Sequence, residues 1–159
     1  MAKTKGKRPH PNAIHLTVAS VPRSIRFYEE KLGFKQDGGW PEGDKPVYAK
    51  MVLDGQVLML GELPSLQEAR QLGLDADELD LVKQDARAMA RGALGIGVSY
   101  YVLVADVDRF VAKMKKRRVK LLLGPKTQFY GARECALVDL DGYRLVFYSP
   151  AAPAAPPAD

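Results

Sequence analysis

From residue 13 the chain alternates. Ile14, Leu16 and Val18 are apolar at every second position, with Ala13, His15 and Thr17 between them, the period of a half-buried strand. A helical stretch, RSIRFYEEKLGF, follows and is stopped by Gly33. The pattern then returns to strands: VYAKMVL and LDGQVLML flank Asp54-Gly55, a dipeptide suited to a tight type I′ hairpin turn. The same order recurs later. SYYVLVADV (99–107) matches AIHLTVASV (13–21) at an offset of 86, DRFVAKMKKRR supplies a helix, and ECALVDL with LDGYRLVF supplies a hairpin at an offset of 87. Two offsets one residue apart, sustained over more than forty positions, mark an internal duplication.

Each half therefore predicts strand, helix, strand and hairpin, with one dry sheet face and one mixed face. In the first half a two-residue turn pairs Leu53 with Gln56, so Ala49, Met51, Leu58 and Leu60 are dry, and Tyr48, Lys50, Val52, Val57 and Met59 face the other way. The same turn in the second half would make Ala136, Val138, Leu145 and Phe147 dry. Cys135, Leu137, Asp139, Arg144, Val146 and Tyr148 would face the other way. A face carrying Tyr, Met, Lys, Arg and His is neither ordinary surface nor ordinary core. Two such faces would enclose a cup fit for a small molecule. The expected class is α+β: two βαβββ modules with pseudo-two-fold symmetry forming a curved mixed sheet, with a helical connector.

The expected divisions are a disordered basic tail (1–11), a first module (12–62), the connector (63–94), a second module (95–150) and a disordered Pro/Ala tail (151–159). In the connector, Ser65-Leu-Gln-Glu68 is a capping box. The segment from Asp77 to Arg91 predicts a helix with Leu79, Val82, Ala86 and Met89 on one face. Core packing or a dimer contact is its plain reading, and a lid its sharper one. Net charge +5 changes little, because Lys3, Lys5, Lys7 and Arg8 in the tail account for all but one of those charges. The run from Lys113 to Lys120 reads as a solvated face at a helix end. Nucleic acid is called for by neither run, although the tail is able to touch RNA. A single cysteine, Cys135, leaves no internal disulfide and fits a reducing compartment. No apolar run reaches membrane-span length, so a cytoplasmic protein is expected.

HLTVASVPRSIRFYEEKLGF, GVSYYVLVADVD and YGARECALVDLDGYRLVFYS resemble the vicinal-oxygen-chelate superfamily of glyoxalases, bleomycin-resistance proteins and ring-cleaving dioxygenases. The resemblance implies paired βαβββ modules, a homodimer and, in its metal-dependent members, ligands on the concave face. Those positions fall here on Ala13, Met59, Ser99 and Val146, none a carboxylate or imidazole, so no metal and no cofactor are expected. A register slip of two residues would instead make His15 a ligand, with Glu62 or Glu134 as mates.

The expected function is metal-free binding of an organic ligand, aromatic ones included, for sequestration or sensing, as in the bleomycin-resistance branch. The candidate ligand-binding set is His15, Trp40, Tyr48, Lys50, Met59, Ser99, Tyr101, Val146 and Tyr148. Trp40 and Tyr48 offer flat faces for stacking. Lys50 suits an anion, unless its ammonium simply reaches water. Arg144 opposite Asp139 reads as a cross-strand ion pair. The alternative is a lyase, transferase or dioxygenase using a non-standard metal set or His15 as general base.

Overall fold

The computed structural model describes residues 13–92 and 94–152; the two tails, apart from 151–152, lie outside them. Two four-stranded mixed sheets carry the predicted duplication. In the first, β1 (Ile14–Val18), β2 (Lys35–Trp40), β3 (Tyr48–Leu53) and β4 (Gln56–Glu62) lie in the order β1-β4-β3-β2. In the second, β5 (Ser99–Leu103), β6 (Leu123–Thr127), β7 (Ala132–Val138) and β8 (Arg144–Pro150) repeat it as β5-β8-β7-β6. β1 and β5 join β4 and β8 in parallel, and the other pairs are antiparallel. A chain that must return parallel needs a crossover, which the helices supply.

In the first half α1 (Val21–Arg26) runs on into π-helical turns over Phe27–Leu32 and ends at Gly33, whose φ of 86° only glycine adopts at little cost. The Glu62 carboxylate accepts from Val21 N–H at 2.7 Å, meeting an otherwise unpaired donor of that helix start. In the second half α4 (Val107–Lys116) is capped by Asp106, which accepts from Arg109 N–H at 2.9 Å. Between the halves lie α2 (Leu66–Gln71) and α3 (Ala76–Ala90), each opened by a capping box, Ser65/Glu68 and Asp75/Glu78. The second box opens two residues before the Asp77 start that periodicity predicts.

The first hairpin is as expected: Leu53 faces Gln56 across Asp54-Gly55, both at positive φ. The second is not. Val138 pairs with Arg144, leaving a five-residue loop from 139 to 143. Asp139 builds that loop. Its Oδ1 accepts from Asp141 N–H at 3.0 Å and Tyr143 N–H at 2.9 Å, and its Oδ2 accepts from the Tyr28 hydroxyl at 2.8 Å. A one-residue change of register exchanges the faces of a strand. Cys135 and Leu137 therefore enter the core, while Glu134, Ala136 and Val138 join Arg144, Val146 and Tyr148 on the mixed face. Arg144 is not paired with Asp139; it donates to Ser99 Oγ at 3.3 Å.

The helix-side faces of both sheets merge in one core, from Leu16, Tyr28, Met51 and Leu60 to Val102, Phe110, Leu145 and Phe147. Beside the Tyr28–Asp139 bond, several contacts that join the modules come in pairs related by the duplication. Gln56 exchanges two hydrogen bonds with the Leu103 backbone, both at 2.7 Å. Its counterpart Tyr143 donates to Thr17 C=O at 2.8 Å. Nearer the axis, Lys31 Nζ donates to Arg117 C=O at 2.9 Å, and Arg117 donates back to Lys31 C=O at 3.0 Å.

Candidate functional site

Strand register divides the predicted site residues into two groups. On the first sheet His15, Met59 and Lys50 lie side by side in one row. In the neighbouring row Gly61, Tyr48 and Trp40 do the same. The imidazole lies over Gly61, where a Cβ would collide with its Nε2. Lost hydration lowers the His15 pKa from its usual 6.5, and Asp85 on α3 pulls weakly the other way. Lys50 ion-pairs with Asp37 at 2.9 Å. Trp40 stands 60 % exposed at the far edge of the face.

The second group forms the clearer hollow. Ser99, Tyr101, Ala136, Glu134, Arg144 and Val146 line a depression of about 410 Å³ with β6 and the segment after it, which supply Leu123, Lys126 and Gln128. Every residue of that lining belongs to the second half of the chain. The Tyr101 and Tyr148 rings meet edge to face, centroids 5.9 Å apart. Buried Glu134 accepts from the Tyr130 hydroxyl at 2.9 Å, and lost hydration together with that bond raises the phenol to about 12. Arg144 and Lys126 are exposed cations beside it. The hollow thus presents an aromatic wall, an apolar floor at Val146 and Ala136, two cations and one carboxylate. A two-residue turn would put Glu134 on the dry face and pair Arg144 with Asp139, which hides both from the site. Lys126 and Gln128 belong to β6 and the segment after it, for which the sequence carries no alternating pattern. The signal that places Glu134 is Asp139, the aspartate that the second hairpin has and the first lacks.

With that geometry in place, the sequence is found to match the family model described as Glyoxalase/Bleomycin resistance protein/Dioxygenase superfamily, over residues 10–147. The chain belongs to this superfamily. Solved structures agree at the level of the fold. TioX from Micromonospora sp. ML1 is 14% identical at a TM-score of 0.61, covering 86% of this chain and 95% of its own. A glyoxalase/bleomycin resistance protein/dioxygenase from Nocardioides is 18% identical at 0.60, covering 98% and 92%. TnmS3, an antibiotic binding protein from Streptomyces sp. CB03234, is 19% identical at 0.59, covering 89% and 96%. Comparison with curated proteins gave no sequence match.

Metal-dependent members of the superfamily take a divalent ion, and the donors present here do not fit one. Ala13 and Val146 carry no donor, Met59 is a thioether, and the Ser99 hydroxyl accepts from Arg144, whereas such an ion takes three or four good N, O or S ligands. The mates considered for His15 are elsewhere: Glu62 holds the start of α1 and Glu134 lies on the other sheet. Among the described residues no three His, Cys, Asp or Glu side chains gather as a metal site. Burial raises the Cys135 thiol to about 11, so at neutral pH it is no nucleophile. Among those residues, too, no helix is long and apolar enough to cross a membrane.

Proposed function

We propose that this superfamily member binds a small organic molecule in the hollow of the second sheet without a metal, as a sequestering or sensing protein of the bleomycin-resistance kind. The lining of that hollow carries the reading: Tyr101, held edge to face by Tyr148, and a Val146 floor for a flat apolar body, with Arg144 and Lys126 for an anionic substituent. Small-molecule sites are built in this way, from mostly apolar walls and a few placed polar groups. TnmS3, an antibiotic binding protein of the same fold, supports the class of role.

We also propose a homodimer. His15, Trp40, Tyr48, Lys50 and Met59 lie on one sheet, and the lining of the hollow on the other. A second copy would let the first sheet of one protomer cover the second sheet of its partner. Tyr101, Leu103, Leu123 and Val138, all exposed on that face, are the apolar surface such a contact would remove from water.

A thermal-shift screen of aromatic carboxylates, paired with elemental analysis, tests the reading. A ligand that binds the native state raises the melting temperature. Its shift should vanish in Val146→Trp, which fills the floor, and shrink in Arg144→Ala. The second reading, a lyase, transferase or dioxygenase with His15 as general base, draws on the lowered pKa that keeps this imidazole neutral at pH 7. Stoichiometric zinc, iron, nickel or manganese, lost on His15→Ala, would replace the first reading with a metal-dependent form of the second.

A further inference from the structure

A groove of about 570 Å³ opens on the helix side of the sheets, where α4 passes the first hairpin turn and the Leu32-Gly33 corner. We infer that this groove is a second binding site, one that takes an amphipathic organic anion. It faces away from the hollow and does not rest on the function proposed for it.

Its floor is apolar, formed by Leu32, Leu53, Phe110 and Met114. Its rim carries a ladder of three cations at every fourth residue, Arg109 and Lys113 on one face of α4 and Arg117 at its C-cap, about 5–6 Å apart at their Cβ atoms. Arg117 is engaged with Lys31 C=O, which leaves Arg109 and Lys113 to meet a ligand. Two carboxylates share the border. Asp106 is engaged as the helix cap, and Asp54 belongs to the hairpin turn. The cations exceed them by one, and the volume suits a small organic molecule.

The helix dipole explains only the C-terminal part of the ladder. Cations are favoured in the last turn, where Lys113, Lys115 and Lys116 lie, but Arg109 lies in the first turn, where a cation opposes the dipole. The duplication accounts for the ladder's two ends but not for its middle. The matching positions on the first helix are Arg23, Phe27 and Lys31, with an aromatic ring where the second helix sets its middle cation. An apolar trough under a row of positive charge fits a ligand with an apolar body and one or two carboxylate, sulfonate or phosphate groups. A neutral ligand would leave those charges unmatched, and a bare anion would leave the floor unused.

The probe is 8-anilinonaphthalene-1-sulfonate, followed by fluorescence, with neutral N-phenyl-1-naphthylamine as its uncharged counterpart. Saturable binding is expected for the sulfonate. It should weaken by about ten-fold or more in Arg109→Glu/Lys113→Glu, and persist in Lys113→Arg and in Val146→Trp, which blocks the hollow. Both charge reversals are on exposed side chains, and an unchanged melting temperature confirms a folded variant. Equal affinity for the neutral probe would overturn the inference, because the cations would then be idle. So would loss in Val146→Trp alone, which places the probe in the hollow. Displacement by a single-stranded oligonucleotide with steep salt dependence would also overturn it, in favour of a phosphate-backbone surface.

Discussion

Removing one oxygen from Tyr28 tests how the modules are joined. The hydroxyl is buried and donates to Asp139 Oδ2 at 2.8 Å, linking the helix of the first half to the hairpin loop of the second. A hydrogen bond to a charged acceptor contributes about 1.5–3 kcal/mol. Asp139 keeps two backbone donors in Tyr28→Phe, so its charge is not abandoned and the lower half of that range applies, about 2 kcal/mol. For a chain of this size the melting temperature should fall by about 4–8 °C. Urea unfolding gives the free energy, and a double-mutant cycle with Asp139→Ala gives the coupling, expected above about 0.5 kcal/mol.

The same carboxyl has a pH signature. Burial is the largest influence on it and raises its pKa above 3.8, against the three hydrogen bonds that lower it. Between 3.8 and the folded value the native state holds more protons than the unfolded one. The stability difference between wild type and Asp139→Asn should therefore fall as pH rises through that window and stay level above it. A Tyr28→Phe loss under about 0.5 kcal/mol, or the same loss with and without Asp139, would refute the linkage.

Two further outcomes follow from the sites described. Gly61→Ala should push the His15 ring off the sheet, so its pKa, read by NMR titration, should rise toward 6.5 as hydration returns; an unmoved value would mean the ring never lay there. At alkaline pH, burial holds the Tyr28, Tyr100 and Tyr143 phenols above 10 in the fold. Stability should therefore decline once the unfolded chain begins to ionise near that pH, and less steeply in Tyr28→Phe, as urea titrations from pH 9 to 11 would show.

What could be read from the residues follows from how local each rule is. Period-two alternation placed the faces of β1, β3, β4, β5 and β8 correctly, because parity along one strand needs no partner. Asp54-Gly55 set its register for the same reason. Asp141-Gly142 looked identical yet sits inside a wider loop, because Asp139 takes donors from Asp141, Tyr143 and distant Tyr28. The last of these is 111 residues away, beyond any local pattern. That single register change moved Cys135 inward and brought Glu134 out to the hollow. The duplication assigns each candidate to its module, but parity says which way a side chain points and not which face it will meet, so the closure of the hollow by β6 and the segment after it was illegible.

The reciprocal clasp of Lys31 and Arg117, with Gln56 and Tyr143 each reaching to the opposite module, means that neither duplicate is a finished object. Cut apart in the connector, each piece would lose its sister's turn and leave half of a shared interior open to water. Expressed singly, such fragments should be sticky and poorly ordered. Mixed together, they should complement one another without a covalent tether.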